Sequence, residues 1–153
     1  MAIVGDIRHS RVARSTGWGL NTLGVGELRL VSPPSMAPPA GDMPFAKIHD
    51  NLDDGLADAD VVMALRIQRE RIGDLEDIPG TEEYFDSYGV SHARMKIARP
   101  DAIVMHPGPM NRGIEIEGSL ADSRQSVIAE QVANGVAVRM AVLERVAKML
   151  ESR

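Results

Sequence analysis

The chain has 153 residues, 44% of them hydrophobic, which is enough apolar material for the core of one ordinary domain. Its net charge of −5 argues against a nucleic-acid or anionic-membrane surface, and no apolar run approaches the length of a membrane span or a signal peptide. With no cysteine and four scattered histidines, the chain lacks a disulfide framework and the ligand spacing of a zinc site, so we expect a cytoplasmic, metal-free protein.

Predicted strands and helices alternate along the first half of the chain. Residues 2–5 form a short apolar run typical of a buried strand, and apolar positions at helical spacing then predict a helix over residues 10–23 with Ser10 as its N-cap. The elements that follow are a strand at 27–31, a proline-rich loop at 32–44, a weak strand at 47–49 and a short acidic helix at 51–57.

The second half continues the alternation. Residues 61–65 and 102–105 are apolar runs typical of buried strands. Between them we predict one short helix capped by Thr81 and another that runs from Ser91 to Ala98. A long amphipathic helix is expected from about residue 123 to 151, with an apolar stripe made of Val127, Ile128, Val132, Val136, Met140, Leu143, Val146 and Leu150.

This order predicts a doubly wound α/β domain with a mostly parallel five-stranded sheet, helices on both faces and a long C-terminal helix. Ligands of such sheets bind outside the carboxyl ends of the strands. That rule selects three segments, namely residues 5–11 after the first strand, Arg66 and Gln68 after the fourth, and residues 105–113 after the last.

The last of these segments, with the order Met-His-Pro-Gly-Pro-Met-Asn-Arg-Gly, reads as a binding loop. Pro107 and Pro109 have no backbone N–H, so the loop offers mainly carbonyl oxygens, together with the polar side chains of His106, Asn111 and Arg112. Such a loop suits a ligand that carries an amine, and we predict a cis bond before Pro109. The alternative is a stiff surface turn without a ligand.

Arginines in the other two segments indicate an anionic ligand. Arg11 and Arg66 would meet the carbonyl-rich turn at one edge of the sheet, and guanidinium groups bind carboxylates bidentately. A small amino dicarboxylate fits that combination. Structural ion pairs or solvated charges at helix ends remain the alternative, while a nicotinamide-dependent oxidoreductase is disfavoured because no glycine fingerprint follows the first strand.

Four motifs in this order resemble the aspartate carbamoyltransferases, specifically the C-terminal, aspartate-binding half of their catalytic chain. The motifs are Val-Gly-Asp-Ile-Arg-His-Ser-Arg-Val-Ala-Arg-Ser at 4–15, Leu-Arg-Ile-Gln-Arg-Glu-Arg at 65–71, His-Pro-Gly-Pro-Met-Asn-Arg-Gly at 106–113, and Gln-Val-Ala-Asn-Gly-Val at 131–136 with Arg-Met-Ala at 139–141. The resemblance runs essentially from end to end, over residues 1–153 as one aspartate-binding domain. Ornithine carbamoyltransferases carry His-Cys-Leu-Pro where this chain has His-Pro-Gly-Pro.

The resemblance implies that Arg11 and Arg66 bind the two carboxylates of L-aspartate, with Gln68 assisting. Gly108 and Pro109 would contribute backbone carbonyls where the aspartate amine meets carbamoyl phosphate. Residues 72–88, including Tyr84, correspond to the family's loop that closes over the substrates. No metal or organic cofactor is implied, and the product, N-carbamoyl-L-aspartate, enters pyrimidine synthesis.

The family's carbamoyl phosphate domain should precede residue 1 and is absent from this sequence. We therefore expect a fragment that does not turn over alone, because most groups that stabilise the leaving phosphate would come from that domain and from a neighbouring subunit of a homotrimer. Regulatory or dihydroorotase subunits are further possible partners. Val138, Met149 and Leu150 would be exposed without that domain. A non-catalytic dicarboxylate-binding module, or a carbamoyltransferase with another amino-acid acceptor, is the alternative.

Overall fold

The sheet of this computed structural model, which describes residues 1–67 and 80–151, has five parallel strands. Their order is β3-β2-β1-β4-β5. The strands are β1 (Ala2–Val4), β2 (Arg29–Val31), β3 (Lys47–His49), β4 (Val61–Ala64) and β5 (Ile103–Met105). The doubly wound parallel sheet predicted from the sequence is thus confirmed.

The helices are α1 (Arg11–Thr22), α2 (Leu52–Leu56), α3 (Thr81–Tyr88), α4 (His92–Met95), α5 (Gly118–Ala121) and α6 (Ile128–Glu151), with one 3₁₀ turn at Pro34–Met36. The predicted caps at Ser10 and Ser91 are confirmed, since each hydroxyl accepts a hydrogen bond from a first-turn N–H. The cap predicted at Thr81 is wrong, because Gly80 occupies the N-cap position there. Helix α4 also ends at Met95, earlier than the predicted Ala98.

Side-chain alternation along the strands divides the core between the two faces of the sheet. Ala2 and Val4 of β1 lie in one cluster with residues of α2, α4 and α5, whereas Ile3 lies in the other with Ala13 of α1. Successive side chains of a strand point to opposite faces, so each strand feeds both clusters. Both faces of the parallel sheet are covered by helices, as such sheets require.

The chain reverses its winding direction between β1 and β4. From β1 the chain proceeds outward through β2 and β3, and it then returns to place β4 on the other side of β1. Ala2 pairs with both Arg29 and Val62, so β1 occupies the middle of the sheet. The crevice beyond the carboxyl ends of β1 and β4 is therefore the topological switch point, where ligands of doubly wound folds bind.

Helix α6 begins at Ile128 and not near residue 123 as the sequence predicted. The backbone just before it is hydrogen-bonded to the edge strand β5. The N–H of Val104 donates to the carbonyl of Gln125 at 2.7 Å, and the N–H of Val127 donates to the carbonyl of Val104 at 3.0 Å. These bonds hold residues 125–127 alongside β5, so the helix can start only after residue 127.

Most of the predicted apolar stripe of α6 lies on the surface. Among the described residues of this helix only Ile128 is buried, and the exposure predicted for Val138, Met149 and Leu150 is confirmed. The exposed face extends further than predicted and includes Met140 and Leu143, which are 65% and 63% exposed. No helix in the described ranges is both long and apolar enough to cross a membrane.

Candidate substrate-binding site

The three segments selected from the sequence line one small cavity at the switch point. Its volume is about 250 Å³, close to the lower end of the range for small-molecule sites. The lining residues come from the start of α1, the end of β4 and the loop after β5, and are Ser10, Arg11, Val12, Leu65, Arg66, Pro107, Gly108 and Pro109. The predicted convergence of Arg11, Arg66 and the proline-rich loop is confirmed.

The segment between β1 and α1 is fixed by its own polar groups. The carboxylate of Asp6 is buried and accepts a hydrogen bond from the N–H of His9 at 3.0 Å, with the Nδ1 atom of His9 also 3.0 Å away. The hydroxyl of Ser10 then caps α1 by accepting from the N–H of Ala13. Arg11, the first residue of α1, is exposed at the mouth of the cavity and makes no ion pair within the described part of the chain.

The second arginine is placed by the pairing of β1 with β4. The N–H of Leu65 donates to the carbonyl of Val4 at 2.8 Å, and Leu65 is buried. Gly5 allows this close approach, because a Cβ atom added there would lie 2.9 Å from the carbonyl oxygen of Leu65. Arg66 follows immediately and is half-buried, so its side chain extends from a rigid part of the sheet.

The loop after β5 presents acceptors and no free donor over residues 107–109. The bond between Gly108 and Pro109 is cis, as predicted. The single backbone N–H of these three residues, that of Gly108, donates to the Nδ1 atom of His106 at 2.9 Å. Only carbonyl oxygens remain for a ligand on this side of the cavity.

Two polar side chains expected to face a ligand do not do so. His106 is completely buried, and its Nε2 atom lies 3.2 Å from Oε1 of Glu115. Arg112 is engaged by Asp122 through both terminal nitrogens, at 2.5 and 2.9 Å, and this pair lowers the pKa of the Asp122 carboxyl. Asn111 is half-buried and its N–H donates to the same Oε1 atom of Glu115.

Tyr84 lies in the core in this structure. It belongs to α3, is completely buried against Met36 and Ile67, and stacks on Tyr88 at 5.6 Å between ring centroids. Burial raises the pKa of its phenol, and the carboxylates of Glu115 and Asp6 add to that rise. Gln68 and residues 72–79 of the predicted closing loop lie outside the described residues, so the roles of Gln68 and Tyr84 stay predictions.

A larger groove of about 810 Å³ lies between the β5 edge and α6. Its lining is mostly apolar and includes Ile103, Met105, Val138 and Leu143. The groove is lined by one arginine, Arg139, whereas the smaller cavity brings two arginines together with the proline-rich loop and is therefore the candidate site. Among the described residues no group of three or more histidine, cysteine, aspartate or glutamate side chains could hold a metal ion.

Sequence reasoning missed part of this arrangement. Pro107 lines the cavity beside Gly108 and Pro109, although only the latter two were predicted to contribute carbonyls. The motif carries no signal for this, because the direction of the Pro107 carbonyl follows from the Gly108 N–H, which turns toward His106 only in the folded structure. Glu115 was not singled out, since nothing in its local sequence distinguishes it from a surface carboxylate.

Comparison with known proteins gives a consistent result. Residues 1–146 match the family model described as aspartate/ornithine carbamoyltransferase, Asp/Orn binding domain. The aspartate carbamoyltransferase catalytic subunits of Syntrophotalea carbinolica and Ruthia magnifica are 56% and 49% identical to it over 143 and 144 residues. Each alignment covers 94% of this chain and 45% of the relative, so the chain spans less than half the length of these proteins.

Solved structures agree with this match. An aspartate transcarbamoylase from Trypanosoma cruzi, determined with carbamoyl aspartate and phosphate, has a TM-score of 0.73 at 26% identity over 93% of this chain and 47% of its own. An ornithine carbamoyltransferase from Burkholderia thailandensis has a TM-score of 0.75 at 25% identity over 94% of this chain and 45% of its own. The chain therefore belongs to the aspartate/ornithine carbamoyltransferase family, whose aspartate/ornithine-binding domain it matches.

Proposed function

We propose that this chain is the aspartate-binding half of an aspartate carbamoyltransferase. In the complete enzyme the neutral amine of L-aspartate would attack the carbonyl carbon of carbamoyl phosphate. The tetrahedral intermediate would then lose the extra proton of the attacking amine to the departing phosphate as the C–O bond breaks, which leaves N-carbamoyl-L-aspartate, a precursor for pyrimidine synthesis. We further propose that the working assembly is a cytoplasmic homotrimer, to which regulatory or dihydroorotase subunits could bind.

The observation that carries this proposal is the polarity of the small cavity. Arg11 and Arg66 supply two guanidinium groups on one side, and residues 107–109 supply carbonyl oxygens with no free N–H on the other. Guanidinium groups select carboxylates, whereas carbonyl oxygens select an amine or ammonium group and repel a carboxylate. An amino dicarboxylate satisfies both sides of the cavity at once.

The start of α1 adds to the preference for an anion. Ser10, Arg11 and Val12 line the cavity, so the N-terminal end of this 12-residue helix faces the ligand. The helix dipole places partial positive charge there. Ornithine, with one carboxylate and a cationic side chain, would meet repulsion from the same groups, which favours aspartate as the amino-acid substrate.

We assign the binding of carbamoyl phosphate mainly to the additional segment that the relatives carry. The apolar face of α6, with Met140 and Leu143 largely exposed, supports a packing contact between this helix and that segment, because a folded domain rarely leaves so long an apolar stripe in water. Gly108 and Pro109 would then direct their carbonyls toward the point where the two substrates meet. On its own the chain would bind L-aspartate without turning it over.

The first test is equilibrium binding of L-aspartate by calorimetry. Replacing one charge-assisted hydrogen-bond donor costs about 1.5–3 kcal/mol, so Arg66→Ala and Arg11→Ala should each weaken binding by roughly ten- to 150-fold. Arg99→Ala is the matched control. Arg99 pairs with Asp60 and Asp101 at the amino ends of β4 and β5, away from the cavity, so this variant should bind L-aspartate like the unmodified chain. Undiminished binding in both cavity variants would refute the site.

The second test is complementation. The chain is mixed with a separately produced carbamoyl phosphate domain from a relative, and formation of carbamoyl aspartate is measured. Activity that requires both proteins, and that falls with Arg66→Ala, is the expected result. Aspartate binding without restored activity, in a mixture where the two proteins are shown to associate, would instead favour a non-catalytic dicarboxylate-binding module.

A further inference from the structure

Two buried ionisable side chains lie directly beneath the loop that lines the cavity. His106 and Glu115 are 0% and 1% exposed, and neither contributes to the cavity surface. Burying a carboxylate beside an imidazole is costly unless hydrogen bonds compensate for the lost water. The pair therefore requires an explanation that the binding of substrate by the cavity residues does not supply.

The hydrogen-bond network assigns one tautomer to His106. The N–H of Gly108 can only donate, so the Nδ1 atom that it approaches at 2.9 Å must carry a lone pair. The ring proton then resides on Nε2 and is donated to Oε1 of Glu115 at 3.2 Å. The backbone N–H of His106 is also engaged, by the side-chain oxygen of Gln131 at 3.2 Å.

Glu115 holds both ends of the loop with one oxygen. Its Oε1 atom accepts the Nε2–H of His106 before the turn and the backbone N–H of Asn111 after it. Residues 107–110 are thereby tied at two points to the same buried atom. A loop fastened in this way cannot rotate its peptide planes without losing a buried hydrogen bond.

The bond to His106 also orients a carbonyl. Within the described residues the cis bond lies between Gly108 and Pro109, so the preceding peptide, between Pro107 and Gly108, is trans. In a trans peptide the C=O and N–H groups point in opposite directions. Because the Gly108 N–H points inward to the imidazole, the Pro107 carbonyl points to the exposed side of the loop, where Pro107 lines the cavity.

We infer that His106 and Glu115 are positioning residues that fix the direction of the loop carbonyls and thereby set the site's selectivity for an amine. The inference rests on the proposed function, since it assumes that L-aspartate occupies this cavity. It predicts a specific separation of effects. The arginines determine affinity for the two carboxylates, whereas the buried pair determines how much the amine adds.

The test compares L-aspartate with succinate, a dicarboxylate of the same length without the amine. His106→Gln can still reach Glu115 but places no acceptor beside the Gly108 N–H, whereas His106→Asn retains an oxygen near the position of Nδ1. Glu115→Leu removes the shared acceptor, and Glu115→Gln retains it. Binding of both ligands is measured by calorimetry, and the folded state of each variant is checked by thermal unfolding.

Loss of one oriented hydrogen bond is expected to weaken L-aspartate binding about tenfold in His106→Gln and Glu115→Leu, with succinate affinity unchanged within about twofold. His106→Asn and Glu115→Gln should restore most of the difference between the two ligands. Equal weakening of both ligands would show a merely structural role and overturn the inference. So would an unaltered preference for L-aspartate in folded variants of both residues.

A spectroscopic measurement on the unmodified chain keeps the inference testable if the variants fail to fold. Long-range ¹H–¹⁵N correlation should show a protonated Nε2 and a bare Nδ1 for His106, with and without L-aspartate. The opposite tautomer would refute the positioning role. An unmodified chain that binds neither ligand would refute the proposed function, while the tautomer would still decide whether His106 orients the loop.

Discussion

A methyl group added at Gly5 should disrupt the junction of β1 and β4 and the cavity beyond it. Gly5 has φ of +134°, a conformation that side chains rarely adopt, and an added Cβ would lie 2.9 Å from the Leu65 carbonyl oxygen and 3.0 Å from the Leu65 Cβ. Neither contact is with a flexible chain end. The backbone around Leu65 would have to move, and Arg66 would move with it.

The magnitude follows from two separate costs. A strained backbone conformation costs about 1–3 kcal/mol and overpacking of a tight contact about 1–3 kcal/mol, so Gly5→Ala should reduce the free energy of unfolding by about 2–6 kcal/mol. A small domain has only about 5–15 kcal/mol in total. The variant should therefore unfold at markedly lower urea concentration, with an unchanged slope of free energy against urea.

Gly19→Ala is the matched control. Gly19 lies within α1, is exposed, and has no atom within 4 Å of an added Cβ. Alanine is the better helix former by about 1 kcal/mol, so this substitution should leave the protein as stable or more stable. If Gly5→Ala unfolded at the same urea concentration as the unmodified chain, the close approach at the switch point would not be a constraint, and the placement of Arg66 would need another explanation.

Three further predictions concern other parts of the structure. Tyr84→Phe should change the free energy of unfolding by less than about 0.5 kcal/mol in urea, because the buried hydroxyl has no hydrogen-bond partner among the described residues; a large loss would reveal one. Leu143→Lys should also be nearly neutral in the isolated chain since this side chain is 63% exposed, whereas Leu56→Ala, at a fully buried position, should cost about 2–5 kcal/mol. Hydrogen bonds from Lys47 and Arg29 lower the pKa of Glu27 from 4.5 to about 2, so its stabilisation is complete above pH 4.5 and lost as the pH falls toward 2. Thermal unfolding of Glu27→Gln should accordingly depend less on pH between 4.5 and 2, and an unchanged pH profile would contradict this assignment.

The strands and the cavity could be predicted because their signals are local. The apolar run that becomes β4 ends directly before Arg66, and the prolines on either side of Gly108 fix a turn with few donors. The rule that ligands bind beyond the carboxyl ends of parallel strands then brought these segments together without knowledge of the strand order. Geometry of this kind depends on chain direction and not on the details of packing.

The start of α6 could not be read from periodicity because backbone bonds decide it. Residues 125–127 have no sequence feature that forbids a helix, yet Val104 binds this stretch through both its N–H and its carbonyl. An amphipathic pattern likewise predicts an apolar face without specifying what covers it. Met140 and Leu143 therefore looked like core residues and are exposed within this chain.

The inward direction of His106 was hidden for a different reason. A histidine at the end of a strand beside a ligand loop is equally compatible with facing the ligand or facing the core. The choice depends on Glu115, nine positions later, whose carboxylate reaches back beneath the loop. Such a contact depends on tertiary structure, and neither residue's immediate neighbours in the sequence indicate it.

The position of β1 between β2 and β4 also links the cavity to the course of folding. Ala2 pairs with Val62, and Val62 in turn pairs with Val104, so the cavity walls meet only after two long chain closures. Contacts of such sequence separation slow the folding of a domain. A ligand of this cavity, which we propose is L-aspartate, should therefore bind only the completed sheet, and at saturation it should raise the urea midpoint of the whole sheet as one cooperative unit.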